Sequence, residues 1–275
     1  MRHTPLIALC TVALLAACDN ADTGNDEMRS AVDEIVATGA AQDVESDLLE
    51  LTTIDEPDEP TRDHHGLRDR MHALIASQLP CSTITTVGED TLVIDFGTLA
   101  DECTFRDRTW AGVVTIAYAT DGDAIVATHE FDGITDGKVT IDGSATVTKT
   151  DASRHIVTDF TFDGPERGFS VKSDRVQTPL ADEDGVHIDG TRDFTGDRGE
   201  RHVDIEGVEV RRGDSVPQAG SLAITRDDGR TLTMSFARID DETIAVTVDG
   251  PKGERVFEVD DDDNIRDVLP HHRRR

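Results

Sequence analysis

The chain has 275 residues, a net charge of −30, a hydrophobic fraction of 36% and an aromatic fraction of 4%. That charge excludes long-range attraction to nucleic acid or to anionic lipid surfaces, and the low aromatic content, with Trp110 and Tyr118 alone of their kinds, weakens carbohydrate binding by ring stacking. The apolar content is enough for one large or two small domains with a real core.

The chain opens with a positive charge at Arg2, an apolar run from Leu6 to Leu15, and the small residues Ala16 and Ala17. This is the three-part layout of an export signal, and the run is too short to span a bilayer as a helix. Leu15-Ala16-Ala17-Cys18 resembles the lipobox of bacterial lipoprotein signal peptides, in which cleavage precedes the cysteine and the cysteine then carries lipid. The resemblance implies that residues 1–17 are a removable signal peptide and that Cys18 is acylated, with palmitate among its chains. It also implies a protein of the cell envelope, tied to a membrane by its N-terminal lipid, with its body in the periplasm or at the cell surface. Asp19 resembles the inner-membrane retention signal of enterobacterial lipoproteins; other lineages do not follow that rule, so either membrane leaflet stays open.

Residues 18–60 form an acidic tether in which Arg29 is the only strong positive charge. Met28, Val32, Ile35 and Val36, and then Val44, Leu48 and Leu51, have helical spacing on either side of Gly39, so one or two short N-terminal helices are expected. Their stripes are expected to dock on the main body. Glu56-Pro57-Asp58-Glu59-Pro60 ends them. Residues 61–259 then form one domain, a helix followed by antiparallel strands with internal repeats. Leu67, Met71, Leu74 and Ile75 put an apolar stripe on the helix, which stops before Pro80.

Export leaves Cys81 and Cys103 as the remaining thiols, since Cys10 departs with the signal and Cys18 takes the lipid. In an oxidising compartment they form a disulfide, and no thiol is left for catalysis or zinc.

Past Cys81 the apolar period becomes two. Leu92, Ile94 and Phe96 alternate with polar positions, as do Trp110, Val114, Ile116 and Tyr118. So do Ile156, Phe160 and Phe162, and later Leu232, Met234 and Phe236, then Ile244, Val246 and Val248. This alternation predicts a mainly β fold, an antiparallel meander of ten to thirteen strands arranged as an elongated sheet, a sandwich or a partly closed barrel. Asp-Gly pairs at Asp121 and Asp228 mark hairpin turns, whereas Asp142-Gly143 and Asp189-Gly190 lie inside longer alternating runs and suit bulges equally well. A shift of 47 residues superposes Val139, Ile141, Asp142, Gly143, Thr148, Arg154 and His155 on Val186, Ile188, Asp189, Gly190, Thr195, Arg201 and His202. Val93-Ile94-Asp95-Phe96-Gly97, then Cys103, then Trp110-Ala111-Gly112-Val113-Val114-Thr115-Ile116 resemble a group of bacterial envelope lipoproteins. That resemblance implies only an exported β-rich protein and carries no catalytic residue.

Chemistry is sparse. Nucleophile-elbow, zinc-protease and phosphate-loop signatures are missing, and His129-Glu130 lacks a second metal-binding histidine, so no catalytic residue is assigned. His155 near Asp159, and His202 near Asp204 and Glu206, read as ion pairs before general bases. Calcium is the one candidate cofactor, with Asp182 and Asp184 in a loop and Asp260 and Asp262 in an acidic run as candidate donors. Residues 260–275 form a charged tail. These features favour a non-catalytic envelope lipoprotein with a structural or recognition role, its protein or small-molecule partner unidentified. The alternatives are a periplasmic carrier of a lipid or other apolar ligand, and a hydrolase using His and carboxylate side chains.

Overall fold

The computed structural model describes residues 28–32, 49 and 64–268, apart from 106–107, 165–167, 182–184, 197–198, 212–213, 215, 252 and 261–263. The expected signal peptide (1–17), Cys18, most of the expected tether (18–60) and residues 269–275 lie outside the described residues. Among the described residues, no helix is long and apolar enough to cross a membrane.

Helix α1 runs His64–Gln78. Its Leu67, Met71 and Ile75, with Leu79 just beyond, form a buried stripe, and Pro80 stops the helix by removing a backbone donor. The strands follow as β1 (Thr83–Val87), β2 (Thr91–Asp95), β3 (Cys103–Phe105), β4 (Arg108–Asp121), β5 (Ala124–Thr135), β6 (Thr140–Lys149), β7 (Arg154–Asp163) and β8 (Gly168–Pro179). After these come β9 (Gly185–Gly196), β10 (Gly199–Arg211), β11 (Ala219–Arg226), β12 (Thr231–Arg238), β13 (Thr243–Gly250), β14 (Gly253–Asp260) and β15 (Ile265–Val268). They make one open antiparallel sheet in the order β1-β2-β4 and onward to β15, with β3 paired to β4 beside the main path. Apart from β3, which the main path skips, each strand pairs with its chain neighbours, so the sheet is a continuous meander and not two packed layers.

Fifteen strands among the described residues exceed the ten to thirteen expected. The long ones that escaped the alternation are β5 and β8. Their core-facing positions include Ala127 and His129 on β5 and Ser173 and Arg175 on β8, all buried, and neither small nor polar residues register as an apolar stripe. On β7 and β8, moreover, Val157 and Val176 point outward and are exposed.

One face of the sheet, called here the inner face, carries nearly all of the buried side chains. Two large clusters sit on it. The first joins Leu49 and α1 to β2–β8 through Trp110, Ile116, Tyr118, Phe131 and Phe160. The second joins Met28, Ala31 and Val32 to β12–β14 through Met234, Val246 and Phe257, with a smaller group on β10 between them. Residues 28–32 and Leu49 are helical, and they bury apolar side chains on the body.

The strand pairing is symmetric about the hairpin β7–β8. Thr158 and Ser173 pair at its centre, and their hydroxyls share a buried hydrogen bond of 2.7 Å. Outward from there β6 matches β9, β5 matches β10 and β4 matches β11. The β5–β6 register breaks between Phe131 and Ile134, and the β9–β10 register breaks between Ile205 and Val208. At each break a glycine, Gly133 or Gly207, takes φ 58°. Its N–H donates to a carboxylate on the next strand, Asp142 Oδ1 or Asp189 Oδ1, at 2.7 Å in both cases.

The two Asp-Gly pairs are therefore not themselves bulges; each braces a bulge on its neighbour. Gly143 and Gly190, next to these aspartates, have φ 130° and 143°. A Cβ on Gly143 would lie 2.1 Å from Asp159 O, and one on Gly190 2.2 Å from Asp174 O. In the 47-residue repeat, the part on β6 and β9 coincides with this symmetry. Arg154-His155 on β7 and Arg201-His202 on β10 do not, because β7 is the counterpart of β8.

Candidate functional site

Polar chemistry gathers at the middle of the sheet, on both faces of β7–β11. On the outer face, His202 Nδ1 is 2.7 Å from Asp193 Oδ1 and its Nε2 is 3.2 Å from Asp204 Oδ1. His187 Nε2 is 3.0 Å from Asp189 Oδ2, and His155 Nε2 is 2.7 Å from Asp174 Oδ1. Asp193 and Asp174 come from adjacent strands, whereas Asp204 and Asp189 lie two residues from their histidines on the same strand, the two placements that antiparallel register and period two allow on one face. Of the sequence neighbours expected beside the histidines, Asp204 is in place. Asp159 instead pairs with Lys172 at 2.9 Å, and Asp174, which faces His155 from β8, was legible only once the register was known.

The hydrogen bond that His202 donates to Asp193 raises its pKa above the ordinary value, and Asp204 adds to the effect. A histidine stabilised in its charged form contributes to stability below its unfolded pKa, roughly 6.5, and that contribution is lost as pH rises through the folded value. A histidine NMR titration should find His202 above the ordinary range, and Asp193→Asn should return it toward that range. A midpoint already at the ordinary value in the wild type would remove the pairing. Asp189 is shifted the other way. The Gly207 N–H that it accepts lowers its pKa, and His187 assists.

On the inner face the polar residues are Thr158, Ser173, Arg175 and Arg192, all buried, joined by Arg201 and Arg226. Arg192 pairs with Ser173 and with Val203, and Arg201 lies directly opposite Arg226. Arg201 also stacks over the Phe194 ring, 5.7 Å from its centroid. The four arginines thus form a diagonal from β8 to β11. Their symmetry counterparts on the other half are Phe160, Ala145, Ala127 and Tyr118, all buried. The two halves share a backbone pattern, and on these positions the first half is aromatic or alanine while the second is cationic. No sequence periodicity flags such a set, because its members sit on four strands and come together only through register.

His129, fully buried in the first cluster, has its pKa lowered to about 4 because burial penalises its charged form. It is a neutral core residue at ordinary pH. A shallow depression of about 400 Å³ lies at the hairpin tips of β4–β5 and β6–β7, lined by Asp121, Asp123, Ala124, Thr150, Asp151 and Ala152, with no histidine in its lining.

Cys81 and Cys103 are bonded, with Cα atoms 5.1 Å apart. Of the candidate calcium donors, Asp182, Asp184 and Asp262 lie outside the described residues. Asp260 accepts the backbone and side-chain N–H groups of Asn264, each at 3.0 Å, in the turn before β15. Among the described residues, no group of three or more His, Cys, Asp or Glu side chains is arranged to hold a metal ion. No protein-family model, no curated protein and no solved structure matches the chain.

Proposed function

We propose that this is an exported envelope lipoprotein, anchored through Cys18, whose β body has a structural or recognition role and not a catalytic one. The observation that carries the reading is Leu15-Ala16-Ala17-Cys18 at the end of a short apolar run. The Cys81–Cys103 bond supports an oxidising compartment. The non-catalytic half of the reading draws support from the outer face, where histidines meet carboxylates pair by pair on an exposed sheet. A carrier would need a hollow inner face, whereas Trp110, Tyr118 and Phe160 fill this one beneath Leu49 and α1.

Metabolic labelling with palmitate, followed by fractionation and intact-mass measurement, tests the anchor. The wild-type protein should lack residues 1–17, carry label and follow the membrane fraction, while Cys18→Ala should lose both label and membrane association. An unlabelled, uncleaved wild-type chain would overturn the reading.

A further inference from the structure

We infer that β1 is a self-pairing edge: two copies of this chain join antiparallel along Thr83–Val87, about a two-fold axis at Thr85, and each sheet continues into the other. The sheet is open and its path runs from β1 to β15, so each of these two strands has one flank that no described strand pairs. A bare flank of backbone N–H and C=O groups is a template for another strand. The two ends are built differently. β15 carries Arg266 and Asp267 among its four residues, and charges of this kind blunt an edge. β1 reads Thr83-Ile84-Thr85-Thr86-Val87, without charge or proline and without a register break against β2. All five side chains are β-branched, which suits a strand. Ile84 packs against the first cluster, while the other four are exposed, Val87 to 52%.

Charge selects both the occupant and its direction. At a net charge of −30 most of the surface repels a second copy, and β1 is a neutral strip on which two copies can meet. Paired in parallel, the Gly88-Glu89-Asp90 turn after β1 would lie against its own copy. Antiparallel about Thr85, Glu89 and its copy stand about 27 Å apart along the strands, well beyond the Debye length of about 8 Å. The same arrangement sets Thr85 against Thr85, a favourable cross-strand pair, and Ile84 against Thr86 on the inner face. Helix α1 leaves room for it. Its close contacts are with β2 and β4, roughly 7 and 12 Å from the axis, so two helices about 10–12 Å wide clear each other. β15 of another copy is the poorer occupant, because β1 on β15 joins head to tail and leaves a free edge at each end of a growing sheet.

Disulfide trapping on the full-length chain tests this. Five paired residues a side make a small interface of the weak, transient class, and covalent trapping accumulates such contacts. Under mild oxidation Thr85→Cys should run as a crosslinked dimer on nonreducing electrophoresis and return to one chain on reduction. Val87→Cys is the control, on the same strand and the same face. It lies roughly 14 Å from its copy along antiparallel strands, beyond disulfide reach, so it should crosslink at least about tenfold less. Both positions are exposed, so neither substitution disturbs the core. Equal crosslinking at the two positions, no dimer from Thr85→Cys, or an adduct of Thr85→Cys with a different protein would overturn the inference.

Discussion

Alanine at Gly143 should destabilise the fold by about 3 kcal/mol or more, near the top of the range for single substitutions. Two costs add. The residue has φ 130°, a backbone region that side chains other than hydrogen rarely enter. The new Cβ would also lie 2.1 Å from the Asp159 carbonyl oxygen, and that oxygen belongs to a strand paired on both sides, so it has nowhere to retreat. Gly190→Ala should behave alike, because its Cβ would meet Asp174 O at 2.2 Å. Gly122 in the β4–β5 turn is the control. It too has positive φ, 61°, but no atom lies within 4 Å of the added carbon, so alanine there should cost only about 1 kcal/mol. Urea denaturation would separate the two classes. A midpoint for Gly143→Ala no lower than that for Gly122→Ala would mean that β6 and β7 can part at this pair.

Removing the Cys81–Cys103 bond should cost on the order of 3 kcal/mol in the loop-entropy account, for a closed segment of 22 residues. Its position gives the loss a direction. Cys103 is fully buried in the first cluster and pairs with Trp110 across β3–β4, while Cys81 lies just after α1. The bond therefore ties the end of the helix to β3, the strand paired with the one that carries Trp110. Cys81→Ala with Cys103→Ala should lower the guanidinium midpoint and speed hydrogen exchange in α1 and β1 before it affects β12–β14. Identical midpoints with and without reductant would sink this expectation.

Local signals in the sequence carried a good part of the fold. The stripe Leu67, Met71 and Ile75 marked α1, the clean alternation of β2, β4, β7 and β12 marked a meander, and the two thiols left over on the expectation of export marked a disulfide. Where the reading fell short, the information was not local. β8 reads as Gly168-Phe169-Ser170-Val171-Lys172-Ser173-Asp174-Arg175; its inner positions Phe169 and Val171 join the first hydrophobic cluster, but Ser173 and Arg175 lie in the central polar band, and they break the apolar alternation. Asp174 as the partner of His155, and Arg226 as the neighbour of Arg201, depend on register. Register in turn depends on two bulges that the Asp-Gly text suggested one strand away from where they formed.

The matching of β6 with β9, β5 with β10 and β4 with β11 also bears on ancestry. A duplicated gene segment lays its strands down again in the original succession, whereas the kinks here recur in the opposite succession, outward from a central pair. The palindrome of kinks thus runs against the forward 47-residue match that lays β6 on β9, and an antiparallel ribbon carries the same bending device on each of its two flanks.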